Sequence, residues 1–300
     1  MKSSTATGTT ATASHYRGRY APSPTGLLHQ GSVLAALGSW LDARASRGKW
    51  LVRMEDLDRP RTVAGAAEAI LRTLDSLGLV SDEPVLWQST RGEAYSAALA
   101  QLKEAGALYR CTCSRTEMPG VYRGHCRRHP AADGPAAWRL MLPADARISF
   151  DDIFQGPQSF STEGLGDPVL CRRDGIAAYQ LAVVVDDAYQ GISHVIRGAD
   201  LLDSTAWQIA VYEALGLPRP QFGHLPLVME PDGGKLSKSL GARAVAGWAP
   251  GEALERTLGM LGCDPPAGLR HEPVGRILDW AVAHWPPASL PGRTAIAAAT

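Results

Sequence analysis

Three stretches of this chain carry residues able to do chemistry. The first runs from Arg19 to Ser32. Tyr20 and Ala21 lead into the turn formers Pro22, Pro24 and Gly26, and His29, Gly31 and Ser32 follow. Behind them Val33, Leu34, Leu37, Trp40 and Leu41 recur at helical spacing. The pattern predicts a loop feeding a helix whose free N–H groups and partial positive charge can hold a phosphate, with Gly31 letting a flat ligand approach the backbone. The second stretch is residues 235–239, where Lys235 and Lys238 bracket Leu236 and Ser237 behind the glycine-hinged turn 231–234. Two lysines on a mobile loop suit a developing pyrophosphate. The third is the segment 109–130, with Cys111, Cys113 and Cys126 at metal-type spacing. A fourth tetrahedral ligand is open among Tyr122, His125 and His129, and the chemistry alone favours a histidine.

The elements that must position these groups alternate between strand and helix. Residues 16–31 are expected to form the first strand and phosphate loop, 32–47 a helix stopped by Gly48, and 50–54 a buried strand with Glu55, Asp56 and Asp58 beyond its carboxyl end. Helices are expected at 63–78 and 91–106, implying a parallel sheet with right-handed crossovers. The pattern lapses over 107–170, which reads as an insertion with short strands near 138–142 and 148–150. It resumes at 179–185, a continuous apolar run of buried-strand type ended by Asp186 and Asp187. A strand at 193–197, a helix at 203–215 capped by Asp203 or Ser204 and a last strand at 225–229 complete it. One or two helices and a Pro/Ala-rich tail then follow.

Composition bounds the function class. Of 300 residues 45% are hydrophobic and 20% charged, as in a soluble globular protein. Lys plus Arg and Asp plus Glu balance at 30 each, so a nucleic-acid partner needs a local patch. Arg110, Arg115, Arg123, Arg127 and Arg128, opposed within their segment only by Glu117, provide one. No apolar run approaches the ~20 residues of a membrane span. Residues 1–15 read as a disordered Ser/Thr/Ala-rich leader without a signal-peptide core. Five cysteines, three of them clustered, argue for a reducing, cytoplasmic compartment. Cys171 and Cys263 are isolated and read as structural.

The segments 29–32 and 235–239 together resemble the two signature sequences of class I aminoacyl-tRNA synthetases. With Arg53, Met54, Glu55, Asp56, Leu57 and Asp58 added, the chain is similar to the glutamyl branch of that class over residues 17–245. The resemblance implies an α/β, Rossmann-like catalytic domain with a zinc-containing insertion and a short helical C-terminal region of stem-contact type. Its parts would be a leader (1–15), the two halves of a nucleotide-binding domain (16–106 and 171–222), the insertion (107–170), and the lysine loop with the helical region (223–300). It implies catalytic roles for His29 and Lys238, and ATP contacts, with Mg²⁺ on the nucleotide, from His29, Gly31, Ser32, Lys235, Ser237 and Lys238. The first signature departs from the family pattern at Ser32, where a second histidine is usual; a hydroxyl there still donates to phosphate or caps the helix.

The same resemblance implies a glutamate pocket. Arg19 and Arg197, both at strand ends, suit bidentate carboxylate contacts; Glu55 suits the ammonium; Tyr179 packs on the substrate. Tyr20, Ala21, Pro22 and Ser23 belong to the same pocket. An amide in place of the side-chain carboxylate would leave a guanidinium unpaired, which sets glutamate apart from glutamine. For the metal site the resemblance selects Tyr122 to join Cys111, Cys113 and Cys126 around a structural Zn²⁺.

About sixty residues follow Ser239, too few for the anticodon-binding region of full-length synthetases. The chain therefore resembles the glutamyl-Q tRNA(Asp) synthetases, a truncated group. That implies a cytoplasmic, monomeric enzyme activating L-glutamate with ATP. It would esterify the glutamate to the cyclopentenediol of queuosine in tRNA(Asp). The alternatives are a glutamyl-tRNA synthetase core charging a tRNA 3′ end, a nucleotidyltransferase acting on a small acid, and a non-catalytic RNA-binding paralogue.

Overall fold

The computed structural model describes residues 16–114, 116–117, 120–129, 133–229 and 245–297. The expected leader, Arg115, and the loop residues Lys235, Ser237 and Lys238 lie outside them.

The first half of the fold is β1 (Arg17–Tyr20), α1 (Gln30–Ala45), β2 (Lys49–Met54), α2 (Ala66–Ser76), β3 (Leu86–Trp87) and α3 (Gly92–Glu104). The strands form a parallel sheet in the order β1-β2-β3. Next come β4 (Leu108–Cys111), α4 (His125–Arg128), β5 (Ala137–Leu140), β6 (Arg147–Asp152), β7 (Gly156–Ser161), α5 (Thr162–Leu165) and β8 (Val169–Cys171). Strands β4, β5 and β8 make a small antiparallel sheet. The chain continues through α6 (Tyr179–Tyr189), β9 (His194–Gly198), α7 (Leu202–Leu215), β10 (Gln221–Leu225) and β11 (Leu227–Met229). It closes with α8 (Pro250–Leu261), α9 (Val274–Ala283) and β12 (Ala295–Ala297).

The second sheet has the order β7-β6-β10-β9, so β6 and β7 extend it rather than joining the small sheet. It meets the first sheet along β1 and β9, where the Ser193 N–H donates to the Arg17 carbonyl at 3.0 Å. With β2 on one side of β1 and β9 on the other, strand order reverses here, the place where open α/β sheets bind ligands beyond the carboxyl strand ends.

Three expectations are corrected. Residues 179–185 form the start of helix α6, not a strand. Leu181, Ala182, Val183, Val184, Asp186 and Asp187 are all buried, so this helix is covered nearly all round and shows no amphipathic period. Helix α7 starts after Leu201, with no side-chain cap from Asp203 or Ser204. A 3-10 turn, Ala199–Leu201, leads into it, and the Ser204 hydroxyl accepts instead from Gln180 Nε2 at 3.2 Å. The tail carries a strand: β12 pairs with β11, which Pro226 separates from β10.

Helix α6 is anchored by its two aspartates. Asp186 accepts from Gln88 Nε2, Arg91 Nε and Tyr95 Oη at 2.9, 3.1 and 2.6 Å. Asp187 accepts from Arg19 Nε and Nη2 at 3.1 and 3.2 Å and from Arg53 Nη1 at 2.6 Å. Burial alone would push the Asp187 carboxyl up, but the two guanidinium groups hold it below the usual carboxylate range. That stability is present above the unfolded carboxylate value of about 3.9 and is lost as pH falls through the lower folded value. Asp187→Ala strands two buried guanidiniums and should lower urea unfolding free energy by about 3–5 kcal/mol at pH 7. The gap from wild type should narrow only below about pH 4.

Candidate functional site

The site forms where β1 and β9 end and α1 begins. His29 is the N-cap of α1, and its Nδ1 accepts the Ser32 N–H at 3.2 Å. With Nδ1 as acceptor the neutral ring carries its proton on Nε2. A Cβ at position 31 would lie 3.2 Å from that ring, a close contact that would press on His29. Ser32 does not cap the helix; its side chain hydrogen-bonds with the Tyr20 hydroxyl.

A cavity of about 240 Å³ opens at this junction. Arg19 and Tyr20 line it from the end of β1, Ala21 and Pro22 from the loop that follows, and His29, Gly31 and Ser32 from the start of α1. Glu55, Tyr179 and Arg197 complete the expected set. Ser23 does not reach it and lines a neighbouring groove. Sequence reasoning missed Asp200, Leu201, Pro226, Leu227 and Val228 on the second-half wall.

Electrostatics dominate the floor. Arg19 is 3% exposed and grips Asp187, so it is half engaged by the protein and not fully open to a ligand. Arg53 is wholly buried and reaches Asp187, the Gln190 amide oxygen and, at 3.4 Å, Glu55. Arg53 enters the sequence reading only as part of the 53–58 motif, with no role given to it; an arginine inside a buried strand is the signal that marks it. Arg197 donates to the Tyr179 hydroxyl at 3.3 Å and to Thr205 Oγ1 at 2.7 Å. Burial raises the Glu55 carboxyl above the ordinary carboxylate range, with Arg53 and Arg19 pulling against it. Three guanidiniums (Arg19, Arg53, Arg197) thus face two carboxylates (Asp187, Glu55) at the floor, while Asp200 is exposed at the rim. Two guanidiniums and the Glu55 carboxylate in the lining match, group for group, an amino acid with two carboxylates and one ammonium.

Glu55 and Tyr179 also line a groove of about 1040 Å³ running toward the small antiparallel sheet. Arg61, Arg139, Arg172, Arg173 and Trp207 border it. The two spaces therefore share a wall.

The thiols of Cys111, Cys113 and Cys126 lie within 4.8 Å of one another. The Tyr122 hydroxyl sits 3.4 Å from Cys111 Sγ and accepts the Cys126 N–H at 2.8 Å. Among the described residues no histidine joins this cluster; the His125 and His129 rings meet each other instead, tilted by 35° with centroids 4.9 Å apart. Three thiols and a phenol converging in a buried pocket fit a tetrahedral Zn²⁺. The surrounding arginines are less free than expected. Arg123 pairs with Glu163, Arg127 with Asp167, and Arg110 approaches Asp133. The acids come from other parts of the chain, out of view of a local count.

The chain matches the model of the catalytic domain of class I tRNA synthetases (E and Q) over residues 15–129 and 121–265. It is 53% identical to the glutamyl-Q tRNA(Asp) synthetase of Burkholderia cenocepacia (strain HI2424), covering 82% of this chain and 88% of that protein. It is 48% identical to that of Pseudomonas paraeruginosa, covering 94% and 98%. Among solved structures, it superposes on a glutamate tRNA ligase from Elizabethkingia meningosepticum, crystallised in complex with its amino acid. The TM-score is 0.78 at 27% identity, over 93% of this chain and 66% of that one. A glutamate-tRNA synthetase from Elizabethkingia anophelis gives a TM-score of 0.80 at 27% identity, over 95% and 68%. The chain belongs to the glutamyl-Q tRNA(Asp) synthetase family, built on the catalytic domain of the glutamate and glutamine class I synthetases.

Proposed function

We propose that the protein activates L-glutamate with ATP and transfers it to queuosine at the wobble position of tRNA(Asp). The observation that carries this reading is one cavity holding Arg19, Arg197 and Glu55 beside His29 at the start of α1. The arginines take the two carboxylates and Glu55 the ammonium. A carboxylate oxygen of glutamate attacks the α-phosphorus, the bond to pyrophosphate breaks, and glutamyl-adenylate forms. No general base is required, because the nucleophile is already ionised. His29 Nε2–H donates to phosphate oxygens as charge builds, and the α1 N-terminus adds its dipole. Lys235 and Lys238 are assigned to the pyrophosphate side, and Mg²⁺ accompanies the nucleotide. A hydroxyl of the cyclopentenediol then attacks the acyl carbon, its proton is lost, and AMP leaves. The groove sharing Glu55 and Tyr179 is the route by which an unstacked loop nucleoside reaches the adenylate. Cys111, Cys113, Cys126 and Tyr122 would hold Zn²⁺ as a folding staple.

Labelled glutamate should pass to queuosine-containing tRNA(Asp) and not to the queuosine-free RNA. Nuclease digestion should leave the label on the anticodon-loop fragment and not on the 3′-terminal nucleoside. Equal labelling of both RNAs, or label on the terminal ribose, would replace this reading with 3′-end charging.

Glu55→Gln removes one charge-assisted contact to the ammonium. The KM for glutamate in ATP–pyrophosphate exchange should rise about 10- to 150-fold, from 1.5–3 kcal/mol. Glu55 binds only when ionised and its folded pKa is raised. Wild-type KM should therefore climb with acidification from above the ordinary carboxylate value of about 4.3, and the variant should lack that limb.

Purified protein should carry about one equivalent of zinc by elemental analysis. Cys126→Ala or a strong chelator should release it and lower the thermal midpoint.

A further inference from the structure

Arg197 is held from behind by a chain of side chains that no step above uses. His224 is its register partner on β10, and Asp152 stands on β6 beyond, across the parallel β10–β6 pairing. His224 is fully buried and Asp152 nearly so. The Asp152 Oδ1 accepts three backbone N–H groups, from Phe154, Gln155 and His224, at 3.0, 2.9 and 3.0 Å. Its Oδ2 lies 2.5 Å from His224 Nδ1. An acceptor so surrounded by donors stays a carboxylate, and it requires a proton on Nδ1. Nε2 of the neutral ring is then a lone pair. Arg197 Nε donates to it at 3.2 Å, and the Thr205 hydroxyl lies 3.0 Å from the same nitrogen while accepting from Arg197 Nη2 at 2.7 Å. Burial lowers the affinity of His224 for a second proton, with Asp152 opposing and the Arg197 charge reinforcing that effect.

A buried histidine facing a guanidinium is tolerated only in one tautomer. With the proton on Nε2, that N–H and the Arg197 Nε–H would meet head-on at a fully buried ring, with only the Thr205 hydroxyl close enough to accept. The carboxylate at Nδ1 excludes that arrangement. Arg197 has few other ways to be held: its remaining described partners are the Tyr179 hydroxyl, Leu201 O and Thr205.

We propose that Asp152 and His224 are positioning residues for the glutamate site: Asp152 fixes the Nδ1–H tautomer of His224, whose Nε2 lone pair then orients Arg197 toward the substrate carboxylate. This rests on the reading of the cavity as a glutamate site. A plain packing role for the pair would predict lost stability with no preference between substrates. A positioning role predicts a selective loss toward glutamate.

The test uses Asp152→Asn, which keeps shape. Its Oδ1 retains the backbone donors, so its amide N–H₂ faces Nδ1 and drives the proton onto Nε2, against Arg197. In ATP–pyrophosphate exchange the KM for glutamate should rise about tenfold or more, with the KM for ATP within about twofold of wild type. Adding His224→Gln, which has no tautomer and can place Oε1 near the former Nε2, should recover most of the loss. His224→Met, with no acceptor, should reproduce the Asp152→Asn defect. Asp152→Asn with an unchanged glutamate KM, or with both KM values raised together, overturns the proposal. So does failure of His224→Gln to rescue. Arg197→Lys separates the two readings: a wild-type glutamate KM in that variant removes the glutamate assignment itself. A raised KM there, beside a normal Asp152→Asn, removes only the positioning role.

Discussion

The carboxylate of Asp187 binds the two halves of the fold into one site. It arrives on α6, from the second half, and takes Arg19 of β1 and Arg53 of β2. Burying three charges is costly, and apolar residues of similar volume often stabilise as well. Such a cluster therefore earns its place through what it presents: Arg19 turned toward the cavity with one side already fixed. The guanidinium loses little freedom when a ligand arrives, since Asp187 has immobilised it in advance.

The same logic governs the opposite wall. Arg197 has no carboxylate partner among its described contacts; a histidine, two hydroxyls and a carbonyl hold it. Neutral acceptors orient a guanidinium without cancelling its charge. The cavity thus has one arginine restrained by an anion and one restrained by dipoles, and the second has no carboxylate among its described hydrogen-bond partners. An anionic guest feels Arg197 most strongly, and a neutral amide in the same place would leave that charge unanswered.

Much of this was legible in sequence because it depends on local order. The turn formers before α1, the helical spacing behind Gly31 and the carboxylate just after β2 all act within a few residues. What escaped was set by distant partners. Residues 179–185 have three consecutive valines and look like a strand, yet Asp186 and Asp187 at their end draw donors from α3, β1 and β2 and fix a helix that is largely buried. His224 gave no signal, since an isolated histidine in an apolar strand is ordinary until Asp152 and Arg197 are seen on either side. The arginine count around the thiols misled for the same reason: Glu163 and Asp167 lie decades of residues away in sequence but beside Arg123 and Arg127 in space.

Those pairings also sort the arginines by what they can still do. Arg123 and Glu163 are both largely exposed, at 64% and 74%, and such a pair is worth about 0–1 kcal/mol. Arg172 is comparably open, shared between Asp58 and Asp174. Exchanging either partner for a phosphate oxygen costs little, so both remain usable against an RNA backbone. Arg127 is different. Its partner Asp167 is 5% exposed and also takes the Tyr109 hydroxyl and the Leu142 N–H, so removing Arg127 would leave a buried carboxylate short of a donor. Arg127 therefore braces the thiol-bearing segment, whereas the partners of Arg123 and Arg172 are ones that water already weakens.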